Sequence, residues 1–245
     1  MICRESDDKM NRRKISFPAK GEYRMKEKNI VLRFLLYVLG LSIIAVGINF
    51  SKMAGLGISP VSSVPRALEI IWGYTLGKMV ILSYCVLVLA QLAVLRKNFR
   101  PVNCLGVLVG VVFGSIVDFV GIDPNAKGHL LLAFPRPESY PMRLVYLAGS
   151  ILIIGVGVYI YLKPGLTPMP SEGLAQAIAD VSGKAFGDCK TMVDTSMIAL
   201  AFLLQFIFLG GFDSLTGAAV VVREGTLISA LSVGQVVKLL KKSFG

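Results

Sequence analysis

The chain has 245 residues, 54% of them hydrophobic and 17% charged, with a mean hydropathy of +0.69. Soluble domains carry about a quarter charged residues, and apolar runs of roughly 20 residues recur here, so a soluble class is excluded in favour of an integral membrane protein. The net charge of +11 is gathered partly in residues 1–28; with no recognition fold beside it, it reads as the basic flank of a membrane helix and excludes nucleic acid as a partner.

Residues 1–29 are polar and aperiodic and read as a disordered cytoplasmic tail. Met25 stands just before Lys26-Glu27-Lys28-Asn29 and a long apolar run, which suggests a start at Met25 with residues 1–24 upstream of it. Ile30–Phe50 is expected to be the first span, too long for the core of a cleaved signal peptide. Gly55-Leu56-Gly57-Ile58-Ser59-Pro60 then breaks the helix. Ser59–Trp72, with Val61, Val64, Leu68 and Ile71 at helical spacing, reads as an interfacial or re-entrant half-helix.

Met79–Leu95 is the expected second span and Arg96–Pro101 a basic turn. Val102–Gly121 is the third, with Gly106, Gly110 and Gly114 on one face so that another helix can come close. Residues 122–142 form a polar extracytoplasmic loop, and Leu144–Leu162 the fourth span. The second break, Gly165-Leu166-Thr167-Pro168-Met169-Pro170-Ser171-Glu172-Gly173, follows. Ser171 and Glu172 are expected as N-cap and first-turn acid of a short helix that ends near Gly183. Ala185–Leu209 is the fifth span, Gly210–Leu215 a tight turn, and Thr216–Leu240 the sixth, interrupted by Arg223-Glu224-Gly225.

Shifting the chain by 110 residues superposes Gly47 on Gly157, Gly55-Leu56 on Gly165-Leu166, Pro60 on Pro170, Gly73 on Gly183 and Gly77 on Gly187. After one insertion, Gly114-Ser115 meets Gly225-Thr226. Repeats at 30–121 and 143–242, each with three spans, must enter the membrane in opposite senses, which is the inverted-repeat plan of many secondary transporters. The basic flanks place both termini in the cytoplasm. The expected fold is therefore all-α, six spans in two inverted repeats with broken or re-entrant segments.

The residues able to carry function cluster near the breaks. Glu172 is a candidate proton-coupled carboxylate at a half-helix start; Ser62 holds the equivalent place in the first repeat. Lys190 and Asp194, at i and i+4, share a helix face, and intramembrane charges mark pathways. Asp118 lies deep in the third span. Arg223 is a candidate partner for Asp194 or Glu172, and Thr226 opens the last half-helix. Asn49, Ser59, Ser171 and Thr167 add uncharged hydrogen-bonding groups. Each has a plainer reading as a cap, a snorkelling group or a packed polar side chain. The cysteines (Cys3, Cys85, Cys104 and Cys189) form no CxxC pair and His129 is the single histidine, so neither a metal site nor a cofactor is expected. With no Walker A pattern and no nucleophile–base pair, the chain does not read as an enzyme.

The Gly-Leu-Gly-x-Ser-Pro break, Pro170-Ser171-Glu172-Gly173-Leu174, the Lys190/Asp194 helix and Gly225-Thr226 resemble the YczE/YyaS/YitT group of bacterial membrane proteins over residues 30–242. Many of that group have Pro-Arg-Asp-Gly-Leu in the second break; here the acid is Glu172 and the basic residue is replaced by Ser171. The resemblance implies a multi-pass protein of the bacterial cytoplasmic membrane. The leading functional reading is a small-solute secondary transporter with its site between the two breaks, with protons as a candidate coupling ion. The alternatives are a substrate-binding subunit of a multicomponent transporter and a non-transporting scaffold. Lipid is the expected surround, and self-association is left open.

Overall fold

The computed structural model describes residues 29–99, 101–121, 137–209 and 221–244, and its elements there are all helical. The expected tail, most of the extracytoplasmic loop and the Gly210–Leu215 turn lie outside the described residues. The helices are α1 (Ile30–Ala54), α2 (Pro60–Trp72), α3 (Leu76–Leu95), α4 (Leu105–Val120), α5 (Tyr140–Leu162), α6 (Pro170–Ser182), α7 (Phe186–Phe208) and α8 (Glu224–Phe244). Short 3-10 turns at Arg96–Asn98 and Pro101–Cys104 join α3 to α4.

Four helices, α1, α3, α5 and α7, are long and apolar enough to cross a membrane. The expected third and sixth spans are not among them. Pro101 and Asn103 wind as 3-10 turn, which leaves α4 only 16 residues, or roughly 24 Å at 1.5 Å per residue. Of the expected last segment, residues 216–220 lie outside the described residues; α8 starts at Glu224, within the expected interruption, and its final turns are rich in lysine.

Local chemistry sets the two 13-residue helices α2 and α6 in the same way. Each starts on a proline (Pro60, Pro170), which needs no N–H partner at the first helical position. Each ends on a glycine in the left-handed region, Gly73 at φ 69° and Gly183 at φ 71°. The start at Pro170 makes Met169 the N-cap residue, so Ser171 sits inside the first turn and is not the cap; Glu172 is the first-turn acid.

Close approach between helices relies on glycine. A Cβ on Gly40 would lie 2.5 Å from the backbone N of Tyr161, and one on Gly157 would lie 2.8 Å from that of Ile44, so α1 and α5 meet main chain to main chain. Gly106, Gly110 and Gly114 face Val88, Tyr84 and Ile81, so the expected glycine face of α4 receives α3. Around these pairs, α2 packs on α3, α7 and α8, and α6 packs on α7, α3 and α4; α1 also touches α4, and α5 touches α8. One apolar core runs through the bundle and includes Leu41, Ile44, Ile58, Tyr84, Phe113, Met169 and Met197. Outward-facing Val86, Leu89, Leu152, Leu203 and Ile207 are exposed, as lipid contact requires.

Two polar clusters are structural. Asp118, at the end of α4, accepts hydrogen bonds from Thr75 Oγ1 (2.6 Å) and the backbone N–H of Gly77 (2.7 Å), so it caps the start of α3. Glu69 of α2 receives Lys52 Nζ of α1 at 2.7 Å and Arg66 Nη1 at 2.6 Å, with all three side chains largely buried. One expected match fails: Gly225 lies in the first turn of α8, whereas Gly114 lies in the second half of α4, so the two are not equivalent places.

Candidate functional site

The first break is held shut by backbone. Gly55 and Gly57 have φ of 63° and 101°. Ser51 Oγ donates to Gly57 O (3.2 Å), Ile58 N–H to Val221 O (3.3 Å), and Gly225 N–H to Leu56 O (2.9 Å). A Cβ on Gly57 would lie 2.4 Å from Thr226 Oγ1, so only glycine lets the break lie on the start of α8. Gln205 Oε1, on α7, accepts from the N–H groups of Val221 and Val222 (3.0 and 3.1 Å) and fixes the other side of that segment. Ser59 Oγ donates to Ser62 Oγ (3.3 Å), and the neighbouring Ser63 bonds to Pro60 O and Met197 O.

The second break is held by side chains. The Arg33 guanidinium donates twice to Pro164 O (3.0 and 2.6 Å), Tyr37 OH donates to Thr167 O (2.8 Å), Tyr84 OH contacts Met169 Sδ (3.6 Å) and Gln91 Nε2 donates to Pro170 O (2.9 Å). The prolines at 168 and 170 supply no donors, so this stretch is rich in carbonyls that its neighbours must satisfy. Tyr161 OH donates to Glu172, and the rings of Tyr37 and Tyr161 meet edge-on at 5.8 Å. Lys190 and Asp194 form an ion pair one side of this carboxylate, near enough for both charges to act on it. Glu172 therefore sits among three tyrosines, one ammonium and one further carboxylate.

Beside Glu172, on another face of α6, lies a cavity of about 330 Å³. Its polar wall is Gln91, Asn98, Asn103, Thr167, Gln176 and Asp180, and its apolar wall includes Leu95, Leu166, Pro168 and Pro170. No residue of the first break lines it. The breaks seat on α1 fourteen residues apart, at Tyr37 and Ser51, roughly 21 Å along a helix. Ile58 and Met169 join one apolar core between them. This hollow belongs to the second break, and its walls come from α3, α4, α6 and the 3-10 turns and break segment beside them.

Residues 31–242 match a model described as a family of unknown function, DUF6198. The chain belongs to this family. It is similar to the protein YyaS of Bacillus subtilis, 25% identical over 71% of this chain and 82% of that one. It is also similar to YczE of the same organism, described as a membrane protein, at 25% over 64% and 67% of the two chains, and to a Haemophilus influenzae protein at 25% over 83% and 80%. These matches agree with the resemblance read from the breaks. No solved structure matches the chain.

In this DUF6198 chain the ten candidate residues fall into three groups. Glu172, Lys190 and Asp194 come together, with Ser171 buried beside them in the first turn of α6. Ser59, Ser62 and Thr226 serve the first break, Thr226 Oγ1 accepting from Arg223 N–H at 3.4 Å. Arg223 pairs with its neighbour Glu224 at 3.1 Å and not with Asp194 or Glu172. Asn49 donates to Ala45 O and Val117 O and ties α1 to α4, while Asp118 caps α3. None of the ten lines the cavity, although Thr167 does. Among the described residues, no group of three His, Cys, Asp or Glu side chains is placed to hold a metal ion.

Sequence reading passed over Tyr37, Tyr84, Tyr161, Gln91 and Gln176. Their signal was present, since each is a hydroxyl or amide within or beside an apolar run, and a buried polar group must find a partner. A tyrosine or a lone glutamine in such a run fits an interfacial or a packed place equally well, and nothing local singles it out.

Proposed function

We propose that the protein is a small-solute secondary transporter of the bacterial cytoplasmic membrane, with both termini in the cytoplasm and its solute site at the second break. Glu172 carries the reading: a carboxylate in the first turn of a half-helix, bonded to Tyr161 and facing the Lys190–Asp194 pair, in a bundle with lipid-facing walls. A carboxylate so placed can exchange a proton with its surroundings as a neighbouring solute enters or leaves. The family match supports a membrane protein, and the function within it is our reading.

We read the two halves as inverted copies. The contacts support this: exchanging α1 with α5, α2 with α6, α3 with α7 and α4 with α8 turns α2–α7 into α6–α3, α2–α3 into α6–α7, and α1–α4 into α5–α8. The extensive α3–α4 contact has no comparable partner between α7 and α8. Although short, α4 lies antiparallel along α3 from Gly106 beside Val88 to Asp118 beside Gly77, which favours counting it, and by symmetry α8, as a membrane pass.

The test is reconstitution into vesicles carrying an internal pH dye and challenge with a solute panel. Solute-dependent proton entry, lost in Glu172→Gln and reduced in Tyr161→Phe, is the expected result. Flux indifferent to Glu172→Gln would remove the carboxylate from the mechanism. A solute that stabilises the purified protein yet never crosses would return the reading to a binding subunit.

A further inference from the structure

The chemistry of the cavity walls narrows what enters, on the reading that this cavity is the solute site. Its volume of about 330 Å³ is at the lower end of pockets that hold small molecules, roughly 300–1,000 Å³. Of its polar lining residues, four are carboxamides (Gln91, Asn98, Asn103, Gln176), one is a hydroxyl (Thr167), and Asp180 bears the one formal charge among the described lining residues.

Gln176 gives the wall a direction. It is more than nine-tenths buried, and its Nε2 donates to Asp180 Oδ1 at 2.8 Å. A carboxylate only accepts, so the amide cannot be turned the other way, and the end left over is the carbonyl. That atom, Gln176 Oε1, has no hydrogen-bond partner among the described residues. A buried acceptor left alone is costly and calls for a donor from outside the chain. The neighbouring amide is committed as well: Gln91 Nε2 is spent on Pro170 O, and a Cβ on Gly173 would lie 2.9 Å from it, so the helix is glycine where that amide rests. The remaining capacity of these two glutamines is thus weighted to acceptors, beside a carboxylate and a backbone with two prolines.

We propose that the cavity binds a small solute that presents N–H donors, neutral or singly positive, such as an amine, a guanidine or a primary amide, and that it discriminates against anions. The donor meets Gln176 Oε1, and a positive group sits toward Asp180.

Thermal unfolding of the purified full chain in detergent tests this with five probes: methylguanidine, ethanolamine and acetamide against acetate and inorganic phosphate. The unfolding midpoint should rise in a saturable way with the first three and stay fixed with the last two, because a ligand that binds only the folded state stabilises it. Gln176→Leu removes the lone acceptor without adding bulk and should weaken all three N–H probes about tenfold. Asp180→Asn should weaken the two cations and spare acetamide. Equal stabilisation by acetate or phosphate, or Gln176→Leu binding the probes as tightly as the parent, would overturn the assignment. So would a Gln176→Leu protein that is more stable than the parent while no probe binds the parent, since the cavity would then be only a wet defect. The same probes offered to vesicles separate the two readings. An amine that binds but never crosses upholds the ligand class and removes transport; anion flux with no N–H probe bound does the reverse.

Discussion

Polar side chains in this protein do one of two jobs, and their bonding partners tell them apart. Asp118 was a candidate for the pathway, yet both its oxygens are spent on Thr75 and Gly77 at the start of α3. Asp118→Ala should therefore cost about 1–2 kcal/mol, the loss of a helix cap, in denaturant unfolding in detergent, and leave solute flux per folded molecule unchanged. Glu69 is the stronger case. It faces Lys52 and Arg66 with little solvent around it, so Glu69→Ala leaves two cations without their carboxylate. That should cost about 3–5 kcal/mol, as breaking a buried pair does, and is read as loss of folded protein on expression. Charges inside a membrane are visible in sequence; whether they pair, cap or wait for a solute is not, because the partner lies tens of residues away. Lys190 and Asp194 were legible since a helix puts i and i+4 on one face. Tyr161 and Glu172 were not paired in the reading, although only eleven residues separate them, because a break of unknown course lies between.

At the scale of elements, the breaks themselves were the most legible part of the chain. Proline at the first helical position and glycine after the last act on the backbone locally, with no knowledge of the fold. Hence α2 and α6 were expected almost to their ends. The neighbourhood of Gly73 and Gly183 sharpens a prediction: a Cβ on either would meet nothing within 4 Å, and both have φ near +70°. Gly183→Ala and Gly73→Ala should each cost only the left-handed backbone term, roughly 1–2 kcal/mol, with matching losses in the two halves when unfolding is followed by denaturant. A much larger loss in one would mean that its loop packs against something else. Less legible were the lengths of the last helix of each half. Hydropathy does not distinguish a helix that starts in 3-10 turns from one that is α throughout, and so α4 came out shorter than its apolar run.

For the whole molecule the outstanding matter is topology. In a cysteine-free background, single cysteines at positions 97 and 242 should react with a membrane-impermeant maleimide only after the inner face is opened, and one at position 212 should react from outside. Labelling of 97 and 212 from the same side would break the inverted arrangement. The architecture was legible as helical and membrane-bound because composition alone demands it. The position of the cavity was not, since it depends on how α3, α4 and α6 converge, and the breaks could be seen in the sequence without showing which helices would wall them.

The crossing of α1 and α5 has a mechanical consequence. Where Gly40, Gly47 and Gly157 let two main chains touch, there is no cushion of flexible side chains to take up slip. On the proposed transporter reading that seam would be the axle: a molecule alternating between two openings would turn about it, with α2 and α6 swinging on either side. Gly40→Ala should jam it, forcing the two rods apart at a cost of about 1–3 kcal/mol and slowing turnover at both faces alike, whichever end of the bundle the cargo enters from.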